Sequence, residues 1–353
     1  MLNPDTRCAK QALDRLDLEI QKYKTDGALS YFTGQLNQTQ RIYITDYLCD
    51  VMQTLHSSLE DMDACLNQYK QKRFNEERNR RLRIDMSSPQ AYVSKAEKAE
   101  EDARFYRKIM EEQFFLKFGG VIDLLASMVV MVSGIGLNVR TCGYRDLKPN
   151  EKVERQASKP ANKLGLSNDE KVRNSQMSVL RSLQAAISAD GDSDWFSWVL
   201  DRRNQMVHRA QGVSLVFLQQ GNVRGQVNFV DLPPKYPQEG MISTYTNPEG
   251  IGESFIFEDI ETVMPECHAR LCHILIAVVD ACESICAQRG AGTINIDQQA
   301  EQWPLDKKSE YNFSGFNPDR SIAKSVQKKG NTLVGSGQLL ERLKGAAAIP
   351  KKD

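Results

Sequence analysis

Asp194-Trp195-Phe196-Ser197-Trp198-Val199-Leu200-Asp201-Arg202-Arg203-Asn204-Gln205-Met206-Val207-His208-Arg209 reads as one amphipathic helix. Asp192, Ser193 and Asp194 precede its apolar run as ready N-caps. At 3.6 residues per turn, Asp201, Asn204 and His208 fall at i, i+3 and i+7 and form one polar stripe. Trp195, Trp198, Val199 and Met206 form the apolar side that anchors it. Arg203 and His208 are five positions apart, roughly 140° around the axis. One such helix therefore cannot close both groups on a small target, whereas two copies facing each other across a dimer can.

Working outward, Ser167-Asn168-Asp169-Glu170 opens a preceding helix that runs to about Ala189, with Val172, Val179, Leu180, Leu183 and Ile187 apolar. The aspartates at 190–194 resemble the start of a calcium loop. Trp195 holds the place where that loop needs glycine, so helix capping explains them better. After the motif, Val213–Leu218 and Val223–Val230 flank Gln219-Gln220-Gly221-Asn222, the pattern of a hairpin. Ser254–Phe257 is a candidate third strand, and residues 258–288 give a strong final helix. That helix carries Cys267, His268, Cys272, His273, Cys282 and Cys286. Along one helix Cys272 and Cys282 lie about 15 Å apart, too far for one zinc. They are read as small core residues, and no metal or cofactor is expected.

Toward the N-terminus, residues 7–24 predict a helix with Leu13, Leu16 and Ile20 on one face. A second, long helix follows from Ile44, Leu48, Val51, Leu55, Leu59, Met62, Leu66 and Tyr69, spaced by three and four. His56, beside that stripe, is expected to be structural. The long helix continues into Lys72, Arg73, Arg78, Arg80, Arg81 and Arg83, the densest basic patch and the first candidate for phosphate contacts. Ser87-Ser88-Pro89 ends it. A charged helix over 92–117 and an apolar one over Val121–Val139 come next, separated by Gly119-Gly120. Asp123 and the absence of a companion span favour a core helix over a membrane span. Gly134-Ile135-Gly136 follows no strand and is not a phosphate cradle. Residues 141–167 read as a surface loop, and the chain past Arg289 reads as a mobile tail.

The chain has 353 residues, 41% hydrophobic and 26% charged, with 46 basic and 46 acidic side chains. That balance belongs to a globular protein without a global basic field, so attraction to nucleic acid must be local. The polar start lacks an apolar signal segment, and eight cysteines are then expected as reduced thiols in the cytoplasm.

Arg203-Asn204-x-x-x-His208 resembles the motif of the HEPN superfamily, an arginine and a histidine separated by four to six residues. A polar residue directly after the arginine is typical of that superfamily's catalytic members. The resemblance covers the middle and later part of the chain. It implies a mainly α fold: a HEPN-like helical bundle over 91–289 with a small β-hairpin insert at about 213–257. The N-terminal helices at 1–90 form an extension, and 290–353 a flexible tail. The resemblance further implies a homodimeric, metal-independent endoribonuclease with RNA as partner. Arg203, Asn204 and His208 would be catalytic, while Arg202, Arg209 and Asp201 would contact substrate. Toxin or anti-phage abortive-infection activity, held by a regulatory or antitoxin protein and without a membrane, is the expected setting. The alternatives are a non-catalytic HEPN-like module that binds a nucleotide, RNA or protein, and a purely structural scaffold on the long helix.

Overall fold

The computed structural model describes residues 5–34, 36–84, 90–147, 165–189, 194–208, 215–220, 227–237 and 254–298. Seven helices account for most of these: α1 (Thr6–Lys22), α2 (Gln38–Ile84), α3 (Gln90–Ser133), α4 (Tyr144–Leu147), α5 (Glu170–Ser188), α6 (Asp194–His208) and α7 (Ile260–Gly290). Residues 299–353, where most of the expected tail lies, are outside the described residues.

The helix starts are written in the sequence. Asp5 accepts from the Cys8 N–H at 2.9 Å, and Asp169 accepts from that of Val172 at 3.0 Å. Asn37 and Gln40 exchange side-chain-to-backbone bonds, each 2.9 Å, in a reciprocal capping box. The stripe from Ile44 to Met62 is buried as its spacing predicts. α2 and α3 pack along each other as a long hairpin, and α7 lies against α1, α5 and the inner half of α3.

Two expectations are corrected here. The helices expected at 92–117 and 121–139 are one continuous helix, α3, which passes through Gly119-Gly120. Packing along the 47-residue α2 outweighs the roughly 1 kcal/mol per glycine that helix propensity subtracts. The boundary expected near residue 90 does not divide the core either. Leu13 and Leu59, from the N-terminal helices, share one apolar cluster with Phe114 and Cys272.

Gly134 ends α3 at φ +63°, and Gly136 meets Gly165 backbone to backbone, its N–H donating to the Gly165 carbonyl at 2.8 Å. A Cβ on Gly136 would lie 2.9 Å from that carbonyl oxygen. Close approach, not phosphate binding, accounts for these glycines. Among the described residues two helices, α3 and α7, are long and apolar enough to cross a membrane by length and composition; 72% and 50% of their apolar windows are buried within the protein.

A short antiparallel pair, β1 (Lys24–Thr25) and β2 (Ala28–Leu29), precedes α2, and the expected hairpin is present but shifted along the chain. β4 (Leu215–Gln220) pairs antiparallel with β5 (Val227–Leu232), with Leu215 opposite Leu232. The expected third strand is reduced to one bridge between Pro234 and Phe255. The tail also begins later than expected. Ile294 and Ile296 are buried, and β6 (Asp297–Gln298) pairs with β3 (Thr33–Gly34), because two alternating isoleucines are enough to hold that stretch to the core.

A buried ion-pair network joins these parts. Arg107 of α3 reaches Glu76 of α2 at 2.7 Å, Asp231 of β5 at 2.6 Å and the Tyr69 hydroxyl at 2.8 Å. Arg73 holds both oxygens of Asp259, at 3.0 and 2.7 Å. Asp259 is in turn the N-cap of α7, accepting from the Glu261 N–H, and it also accepts from the Asp231 N–H. Removing one partner from such a network strands the others as unpaired buried charges. Arg107→Ala should therefore lower unfolding stability by about 3–5 kcal/mol in urea titrations. Lys117→Ala, which breaks the exposed pair with Asp61, should cost no more than about 1 kcal/mol.

Candidate functional site

α6 is held by its apolar side. Phe196 and Val199 are buried, and both tryptophans are pinned through their indole N–H. Trp195 donates to the Ile187 carbonyl at 3.1 Å and Trp198 to that of Pro234 at 2.9 Å. The helix lies across α3, so its charged residues meet that helix at defined places.

Arg203 lies over Gly119. A Cβ at that glycine would stand 2.9 Å from the arginine Nε and 3.0 Å from its Cγ, so any larger residue there would displace the Arg203 side chain. The guanidinium donates to the Asn204 side-chain oxygen at 3.2 Å and approaches the Asp123 carboxylate at 3.8 Å. Asp123 is itself positioned by the Tyr144 N–H at 3.2 Å. At 34% side-chain exposure Arg203 remains open to solvent. Arg203 and Asn204 thus form a hydrogen-bonded pair at the surface, braced from α3. His208 closes α6, with its side chain outside the described residues, as is all of Arg209.

The other expected contacts are placed differently. Arg202 is buried, donating to Glu111 at 2.5 Å and to Gln205 at 2.7 Å. Its charge is taken up inside the protein, and it is not presented to a phosphate. Asp201 lines a cleft of about 850 Å3 together with Trp198 and Glu258. The basic run on α2 is also corrected: Arg73 and Arg80 are consumed by carboxylates, Arg80 pairing with Glu76 at 2.5 Å and Glu100 at 2.8 Å. Only Arg78 and Arg81 of that run have exposed side chains among the described residues. Residue spacing could show only the partners on α2 itself, Glu76 and Glu77; the others, Glu100 and Asp259, come from α3 and from the start of α7.

Comparison with known protein families, curated proteins and solved structures returns no match. The site therefore rests on its own geometry. Gly119 and Asp123 were read from the sequence only as a helix break and a polar residue in an apolar run, and Glu111 not at all; none was recognised as bracing α6.

On α7, Cys267, Cys272, Cys282 and Cys286 are buried, and burial pushes the Cys267 and Cys272 thiols up to about 12. Among the described residues no three His, Cys, Asp or Glu side chains converge in a metal-binding group. His268 is buried against Phe114, 3.4 Å from the Thr6 hydroxyl and 3.7 Å from an Asp63 oxygen. Burial holds its imidazole below the ordinary value, and the Asp63 charge opposes that shift.

Gly119→Ala gains helix propensity of about 1 kcal/mol while crowding Arg203. Its melting temperature should stay close to wild type, while any activity that depends on Arg203 falls. For His268, the folded imidazole protonates less readily than the unfolded one, whose pKa is about 6.5. Its contribution to stability is therefore complete above about pH 6.5 and is lost as pH falls through that value toward the folded one. Urea midpoints should drop across this range in the wild type and drop less in His268→Gln.

Proposed function

We propose that the chain is a metal-independent endoribonuclease of HEPN type, acting through a site composed of two α6 helices in a homodimer. The reading rests on Arg203, Asn204 and His208 standing on one helix, with the guanidinium and amide already hydrogen-bonded at the surface. In this reading His208 takes the proton from the ribose 2′-hydroxyl, a task suited to a group that titrates near neutrality. The 2′-oxygen then attacks the adjacent phosphorus, and the bond to the 5′-oxygen breaks. That oxygen takes up a proton, leaving a cyclic phosphate on one fragment and a 5′-hydroxyl on the other. Arg203 stabilises the charge that grows on the phosphate, and Asn204 fixes the direction of its guanidinium. A toxin or abortive-infection role in the cytoplasm, restrained by a regulatory protein, is the setting we propose for such an activity.

A second reading, a non-catalytic binding module on the same fold, is favoured by the burial of Arg202 and by the acidic cleft beside α6. The two separate on cleavage of labelled RNA in EDTA. Wild type should produce cyclic-phosphate ends, and Arg203→Ala and His208→Ala should each lower the rate by at least about a hundredfold. Folded, dimeric protein that leaves RNA intact would favour the binding module.

A further inference from the structure

The outer arm of the α2–α3 hairpin carries Phe74, Leu82, Phe105 and Tyr106, four large apolar side chains exposed to solvent. Phe105, 62% exposed, sits on the side of α3 turned away from α2. Ala96, Glu100, Ala103 and Arg107 recur in steps of three and four and are buried on the α2 side, where Glu100 meets Arg80 and Arg107 meets Glu76. Phe105 is two residues from both Ala103 and Arg107 and therefore points the opposite way. Glu101, Asp102, Lys108 and Ile109 share its side, three or four residues distant. The three charged ones are exposed, and a depression of about 380 Å3 opens beside the ring, lined by Glu101, Arg104, Lys108 and Ile109. Farther along, α6 covers this side of α3 with Arg203 over Gly119, which bounds the open stretch. Ion pairs of Arg80 and Arg104 with Glu76 and Glu100 clamp the two helices of the arm together, so the face is preorganised.

Charge on this face changes sign across Phe105. Glu101 and Asp102 stand four and three residues before it, and Lys108 stands three after it. Let a second α3 lie antiparallel, with the two Phe105 rings at the centre. Each residue then faces the one equally far beyond Phe105 in its partner. Asp102 meets Lys108 twice by symmetry, and Glu101 lies beside the same lysine. Lys98 and Glu112, each seven residues from Phe105, are opposed in the same sense. Glu112 already has an interaction within its own chain, so the assignment rests on the inner pairs. A parallel arrangement would set Asp102 against Asp102 and Lys108 against Lys108, which is repulsive. A partner helix of one sign would match only half of the face.

From this antisymmetry we infer that the outer face of α3 docks a second copy of the same chain, antiparallel, with each Phe105 seated in the depression of its partner. Two Asp102–Lys108 pairs flank the rings and fix the register. The matched run, residues 98–112, is roughly 21 Å of helix. A contact this short gives self-association in the micromolar range. It is separate from the α6 contact of the cleavage reading. Asp123, beside Arg203, lies roughly 27 Å along α3 from Phe105, and an antiparallel pair carries the two α6 helices to opposite ends. Both contacts together would build an assembly larger than a dimer.

Analytical ultracentrifugation of the full-length protein, from about 1 to 100 µM, tests the assignment. Wild type should self-associate across this range, and Phe105→Glu should sediment at half its mass where wild type is saturated. Asp102→Lys and Lys108→Asp should each weaken association on the order of tenfold. An equimolar mixture of these two variants should associate like wild type, since one copy then presents lysine and the other aspartate at both positions. That recovery also shows that the single variants are folded. No mass increase in wild type up to about 100 µM, or a mixture no tighter than its components, would overturn the inference. Wild-type mass in Phe105→Glu would place self-association elsewhere and overturn it as well, leaving the α6 contact of the cleavage reading intact.

Discussion

Asp259 ties three parts of the protein together with a single carboxylate. It starts α7 by capping it, receives Arg73 from α2 through both oxygens and accepts the backbone N–H of Asp231 in β5. Asp231 passes the connection to Arg107 of α3 and through it to Glu76 and Tyr69. Charges this deeply buried lose their hydration and are tolerable only when every partner is in place. The network consequently fixes where the hairpin and the last helix meet the long α2–α3 pair. The cleft between α6 and α7 depends on that placement.

Apolar burial supplies most of the driving force, and it is concentrated where α3 and α7 cross the centre of the bundle. A helix apolar all round must be covered all round, and α1, α5 and the long α2 provide the cover. The four cysteines of α7 contribute as small apolar side chains, their thiols held protonated by burial. Arg289 shows the same economy of space: wholly enclosed, it donates to the Val132 carbonyl at 2.7 Å and stacks on Tyr31. A cation in such a place is stabilised by ring faces and a carbonyl dipole, with no carboxylate beside it among the hydrogen-bond partners.

α6 presents two chemically distinct faces. Toward α3 it sets Arg203 over Gly119, with Asn204 and Asp123 governing the guanidinium. Toward the cleft it presents Asp201 and the two tryptophans, in a setting that is net acidic. The opposition follows from helical geometry, since residues two apart point to nearly opposite sides.

Helices were legible from residue spacing because apolar periodicity and capping side chains are local properties, as the Ile44–Met62 stripe and the Asn37–Gln40 box show. The hairpin was legible for the same reason, although its strands start at Leu215 and Val227 where Val213 and Val223 were expected, which changes the register. The Arg203-Asn204 pair was likewise visible on its helix. The sequence by itself could not tell which charges would be neutralised. Arg73, Arg80 and Arg202 look like phosphate ligands until carboxylates from other parts of the fold join those of their own helix, as far as 186 residues away for Arg73 and Asp259. Nor could it show that Gly119 makes room for Arg203, or that α3 runs unbroken past it. Local propensity determined the elements; long-range electrostatics and close packing, which exist only once the chain has folded, decided which side chains remain available for function.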